Sequence, residues 1–332
     1  MTNRRPIGRR PALLAGLAAL PFRPASAQAQ VAQAQPPWPV RPIRFIVPFP
    51  PGGTTDIVAR VYAQHMSRTL NQTLVIENRA GAGGTVGSDL VAKAPPDGYA
   101  LVMSNIASHA VGPNVYPRMP YDSVRDFTHV ALLADVPSVL VVNAASPIRD
   151  LAAFLAAARA DPGAMTVASP GNGTTSHVLT ETLARLTGTP LTHVPYRGSA
   201  PGISDVMAGN VRAMITTLAE AGRNDRVRLL AITSERRTPG WDTVPTFAEL
   251  GWPDLTAPTW FGLSGPPGLP DAIADRLNAA ALEALSTPEV RDRLAEFGAV
   301  PPPRTRAWYA AYVASEAERW GRAARAASVR AD

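Results

Sequence analysis

One unit constrains this chain more than any other, and it occurs twice: a short apolar strand, a glycine-bearing turn, and a helix opening directly behind the turn. Residues 43–49 are an apolar run that ends in Pro50-Pro51-Gly52-Gly53. From Thr54 the apolar spacing becomes helical, with Ile57, Val58, Val61, Tyr62 and Met66 along one face. The order returns as a strand over 165–168, a turn at 171–173 and a helix over 177–186. Further apolar runs at 74–76, 99–104, 139–142, 192–194, 211–216 and 229–233 read as strands. Helical spacing covers a stretch opened by the glycine-rich loop 81–87 and running to Lys93, then 148–160, 201–208, 270–285, 288–297 and 306–326. Buried strands alternating with amphipathic helices predict an α/β fold, with a mostly parallel sheet flanked by helices. The repeated unit predicts two lobes. Pattern changes at 139–142 and 260–263 mark strands expected to lie side by side as a two-strand hinge.

Hydrophobic residues make up 46% of the 332 and charged ones 17%, enough apolar side chain for a buried core and too little charge for disorder. Cysteine is absent, which excludes disulfides, thiolate nucleophiles, iron–sulfur sites and cysteine zinc sites. The net charge of +6 suggests nucleic acid, but Arg4, Arg5, Arg9, Arg10 and Arg23 account for all but +1 of it. Lys93 is the single lysine and the remaining arginines are scattered, whereas phosphate-tracking proteins need clustered cations. No nucleic-acid partner is expected.

Those five arginines belong to an address. A basic stretch precedes the apolar run 12–22, and Ala25-Ser26-Ala27 supplies the small residues of a cleavage site. Arg9-Arg10 leaves a twin-arginine export route open beside the Sec route. No cysteine follows the cleavage site to carry a lipid. The expected organisation is a signal peptide at 1–27, a lead-in at 28–41, lobe one from 42–141 and 260–332, and lobe two from 142–259. The mature protein is expected outside the inner membrane.

The chemistry concentrates at the two glycine turns. Gly52, Gly53, Thr54, Thr55 and Asp56 present free N–H groups, hydroxyls and the positive end of a helix, a ready carboxylate or phosphate site. Asp56 could instead cap the loop by accepting its amides. Ser169, Gly171, Gly173, Thr174 and Thr175 repeat the device, and two such turns on opposite lobes would grip one anion. The loop 81–87 fails both dinucleotide and Walker spacing and reads as a packed helix start. His65, His109, His129, His177 and His193 are far apart in sequence with no metal-ligand pairing, and no nucleophile elbow is present. No catalytic residue, metal or cofactor is expected. Tyr196 could wall a pocket, while Arg197 reads as ordering its own loop.

Five ordered segments carry a family resemblance. They are Pro48-Phe49-Pro50-Pro51-Gly52-Gly53-Thr54-Thr55-Asp56, then Glu77 to Gly84 with Pro96-Asp97-Gly98-Tyr99. Pro120-Tyr121-Asp122 with Asp126-Phe127, His193 to Gly198, and Trp260-Phe261-Gly262 complete the set. From about Pro42 nearly to the C-terminus the chain resembles the periplasmic solute-binding proteins of tripartite tricarboxylate transporters, the Bug or TctC-like proteins. The resemblance implies a type II periplasmic-binding-protein fold and a monomer that captures a small organic carboxylate for the transporter's membrane subunits. A sensor docking on a receptor kinase and a secreted hydrolase or lyase are the alternatives. It implies ligand contacts from Phe49, Pro50 and the residues through Asp56, from 169–175, and from Ser104, Asn105 and Ser108 at another strand end. After Met214 the chain departs from the family pattern. Ile215-Thr216-Thr217 and a shortened 218–227 replace an aromatic–acidic pair and a longer helix–loop, and this region, Thr217 included, borders the implied pocket.

Overall fold

The computed structural model describes residues 38–299 and 301–330. The candidate signal segment, and the lead-in up to residue 37, lie outside the described residues. The first half runs β1 (Ile43–Val47), α1 (Thr54–Leu70), β2 (Leu74–Asn78), α2 (Thr85–Ala92), β3 (Ala100–Asn105), a π-helical turn (Ala107–Val111), α3 (Gly112–Val115) and β4 (Thr128–Val136). Then follow β5 (Ser138–Asn143), α4 (Leu151–Ala160), β6 (Thr166–Ser169), α5 (Thr175–Thr187), β7 (Thr192–Pro195), α6 (Ser199–Ala208), β8 (Ala213–Thr217), α7 (Leu218–Ala221) and β9 (Val227–Ile232). The chain ends with β10 (Thr259–Gly265), α8 (Asp271–Ser286), α9 (Pro288–Ala295) and α10 (Arg306–Ala326).

These strands form two five-stranded sheets, ordered β2-β1-β3-β10-β4 and β7-β6-β8-β5-β9. In each, three parallel strands joined by helices are flanked by an antiparallel strand from outside that run: β10, which arrives late in the chain, in the first sheet, and β5, which precedes β6, in the second. The two sheets therefore share one topology, each belonging to one lobe. The sheets are mixed rather than mostly parallel, because β10 and β5 enter against the direction of their neighbours β3 and β8.

The hinge differs from the sequence expectation. Residues 139–142 lie wholly in β5, which pairs with β8 and β9, while Trp260–Leu263 in β10 pairs with β3 and β4. Those two runs are in different sheets. The strand beside β10 is β4, in the first half of a continuous apolar stretch that Pro137 cuts in two. Proline cannot donate to a ladder, and here the chain changes sheet at that residue. A lobe boundary at 141 would thus split β5. What does lie side by side is the pair of junctions: Ser138 Oγ is 2.9 Å from Thr259 Oγ1, and Thr233 N donates to Ser138 O at 2.9 Å.

Local sequence explains the helices. Val58, Tyr62, Met66 and Leu70 recur every fourth residue, so α1 buries one face on the first sheet. Asn71, left-handed at φ 52°, stops it. Helix α10 covers the stretch 306–326 expected from the sequence and is the longest element among the described residues. Its Tyr309, Val313, Trp320 and Ala324 are buried in the core that also holds Trp260, Phe247 and the second lobe's Phe154. Among the described residues no helix is long and apolar enough to cross a membrane.

Candidate functional site

Behind β1 the chain turns through Gly52, whose φ of 85° suits only a residue without Cβ. Asp56, buried in the first turn of α1, accepts from Gly52 N at 3.1 Å, from Asn78 Nδ2 at 2.9 Å and from both Arg60 nitrogens at 2.8 and 3.0 Å. Burial raises its pKa, but the bonds from Arg60, Asn78 and Gly52 prevail and hold the carboxyl below its usual range. Asp56 is therefore the capping residue of the loop, with its oxygens turned away from the cleft.

The second turn is built alike. Thr174 caps α5 by accepting from His177 N at 3.4 Å and donates to Gly171 O at 2.7 Å. Ser169 Oγ contacts Gly171 N at 3.1 Å and His193 Nε2 at 2.6 Å. Thr175, 4% exposed, has a hydroxyl with no hydrogen-bond partner among the described residues.

The first turns of α1 and α5 face each other across a cavity of about 60 Å³. Of the residues singled out from sequence, Phe49, Thr54, Thr55, Asn105, Thr174, Thr175 and Thr217 line it. Pro50, Gly171 and Tyr196 line an adjoining outer cavity of about 730 Å³ that shares Phe49 and Pro170 with the first. Gly53 lines a third, of about 50 Å³. Arg197 is exposed and lines both of these neighbouring cavities, at the mouth of the cleft rather than turned back to order its loop.

Ser104, Ser108, Gly52, Asp56, Ser169 and Gly173 line none of the three. Ser104, fully buried, bonds Tyr309 Oη at 2.9 Å and Ser264 Oγ at 2.8 Å, behind the first sheet's strand end. Ser108 bonds His109 Nδ1 at 2.8 Å inside the core. Ser169 and Gly173 serve the loop's own hydrogen bonds.

Sequence reasoning missed Glu220. Its carboxylate, on α7 of the second lobe, accepts from Thr54 N and Thr54 Oγ1, each at 2.9 Å, and from Thr216 Oγ1. The signal lay in the segment after Met214, which departs from the family pattern. The histidines also need correction. Helix α5 and edge strand β7 stack His177 on His193 at 3.9 Å with a 9° interplanar angle, and one ligating atom each from these and Glu181 falls within 4.8 Å of the others. Parallel rings direct their lone pairs side by side rather than at one ion. Burial draws His177 down to about 4, and burial with the neighbouring His177 draws His193 to about 3, so both are neutral supports of the 169–174 loop.

Residues 58–328 match the family described as the tripartite tricarboxylate transporter family receptor. The chain belongs to this receptor family. It is 44% identical over 318 residues to the UPF0065 protein of the tcbD-tcbE intergenic region of Pseudomonas sp. strain P51, covering 95% of this chain and 93% of that one. Among solved receptor-like structures, MatC of Rhodopseudomonas palustris with bound malate superposes with a TM-score of 0.82 at 36% identity, over 86% of this chain and 99% of that one. A second R. palustris protein, solved with adipate, gives 0.83 at 35% identity, over 88% and 99%. The fold is thus the two-lobed periplasmic-binding-protein fold that the family resemblance implied, with the two lobes that the repeated strand–turn–helix unit predicted.

Proposed function

We propose that this receptor captures a small organic carboxylate between its lobes in the periplasm and presents it to the membrane subunits of a tripartite tricarboxylate-type transporter. One observation carries the reading: the first turns of two helices from opposite lobes line one cavity, with the unpartnered hydroxyl of Thr175 among its walls. Helix N-termini present N–H groups and positive potential, and in a water-poor cleft these hold an anion more strongly than exposed cations do. Arg197 at the mouth adds attraction on approach. The malate and adipate held by the two R. palustris relatives support the same ligand class. The protein binds as a monomer and performs no turnover. Closure is a hinge rotation at the paired junctions near 137 and 258.

A melting series with mono- and dicarboxylates tests this. An acid at 100 times its Kd adds about 2.7 kcal/mol, expected to appear as a rise of about 5 °C for a chain of this size. Thr175→Val is expected to weaken that acid about tenfold, the cost of one buried hydrogen bond. If neutral sugars or amides raise the melt and no acid does, the carboxylate assignment is wrong.

A further inference from the structure

Glu220 stands where an anion would bind. Backbone N–H of Thr54 is among the first-turn donors of α1 that have no partner within the helix, and the Glu220 carboxylate of the opposite lobe already occupies it. The same oxygen accepts the Thr54 hydroxyl, and the other oxygen accepts Thr216. Thr54 Oγ1 further contacts Thr217 Oγ1 at 2.5 Å, so the two lobes meet around this carboxylate. Among the described residues, Glu220 is the one ionisable side chain lining the 60 Å³ cavity; the other polar walls are hydroxyls and the amide of Asn105. The pocket's fixed charge is therefore negative.

We infer that Glu220 sets the ligand class: a monocarboxylate seated at Thr175, whose far end carries an ammonium or another hydrogen-bond donor toward Glu220. This rests on the carboxylate reading above and narrows it. A ligand anchored at α5 shares its small cavity with Thr54 and Glu220, so its other end meets the glutamate across a short, water-poor gap. Like charges there repel with little screening, whereas an ammonium is paired. A dicarboxylate, the class held by the malate- and adipate-bound relatives, meets Glu220 with its second anion.

Three four-carbon probes separate the cases by calorimetry: butanoate, succinate and 4-aminobutanoate. In the wild-type protein 4-aminobutanoate is expected to bind at least tenfold more tightly than succinate, with butanoate between them. Glu220→Gln keeps the size of the side chain and removes its charge. In that variant succinate is expected to gain at least tenfold and 4-aminobutanoate to lose at least tenfold, which inverts the order. The wild-type ranking tests the idea even if the variant folds poorly. Equal or tighter wild-type binding of succinate overturns it. So does a rise for all three probes alike in Glu220→Gln, which would make the residue a latch without selectivity. If none of the three binds either protein, the carboxylate reading itself falls, and that result is distinct from a wrong ranking.

Discussion

Gly262→Ala is expected to destabilise the protein by at least about 3 kcal/mol, the upper part of the range for overpacked cores. Gly262 lies in β10, between β3 and β4 at the centre of the first sheet's antiparallel half. The side chain of Tyr309, fully buried, crosses over this glycine from α10 to reach Ser104 on β3 at 2.9 Å. A Cβ at 262 would collide with the Tyr309 ring and hydroxyl and stand 2.7 Å from the carbonyl oxygen of Ala131. The backbone oxygen is fixed by the ladder, and the ring is wedged between Trp260 and His129, at 6.0 and 5.7 Å between ring centroids. Neither neighbour can yield cheaply. Urea unfolding of the variant checks the figure. Adding Tyr309→Ala should recover part of the loss, so the double variant costs at least 1 kcal/mol less than the two singles combined. A Gly262→Ala protein within about 1 kcal/mol of the wild type would mean that the α10–β10 packing is not as close as described.

That glycine also marks the limit of what the chain discloses by itself. Gly262 was visible as part of Trp260-Phe261-Gly262, but nothing local says that a tyrosine 47 positions later passes over it. Elements defined by their own periodicity, such as α1 with its buried residue every fourth position or β3 with its six buried residues, were legible to within a residue or two. Strand β4 was not, because Pro137 splits one apolar stretch between two sheets and pairing with β10 is a contact across more than a hundred residues. The same division runs through the cleft. Thr54, Thr55, Thr174 and Thr175 follow from a turn that delivers a helix N-terminus. Ser104 sits at a strand end too, and Ser108 in the π-helical turn behind it, yet their hydroxyls turn into the core toward Tyr309 and His109. Glu220 reaches the other lobe through tertiary packing that no spacing rule encodes.

Acidification from pH 7 to pH 4 is expected to cost the wild-type protein about 3 kcal/mol more than it costs His129→Gln. His129 is buried in the first lobe, with Nδ1 2.9 Å from Ser264 Oγ and Nε2 donating to the Ser123 carbonyl at 3.1 Å. Its ring lies among Phe127, Tyr309 and the equally buried His109. Burial draws its pKa from 6.5 to about 4, with the Ser123 bond opposing only in part. The unfolded chain therefore takes up a proton near pH 6.5 that the folded one refuses until about pH 4. Stability from the neutral ring is complete above about pH 7 and drains away as pH falls through that window, by about 3 kcal/mol in all. Burial and the neighbouring His129 also push His109 well below its usual range, which adds loss of the same sign. Asp135 works in the opposite direction. Burial, with Glu316 nearby, raises it to about 6, so its penalty is present at neutral pH and is relieved on acidification. That relief is common to both proteins and leaves the difference between them untouched. Glutamine cannot charge, so its urea-unfolding free energy should fall less steeply between pH 7 and 4, whatever stability the substitution costs at pH 7. Parallel curves would show that the folded core accepts a proton at 129, and with it that the Phe127–His129–Tyr309 cluster opens to water.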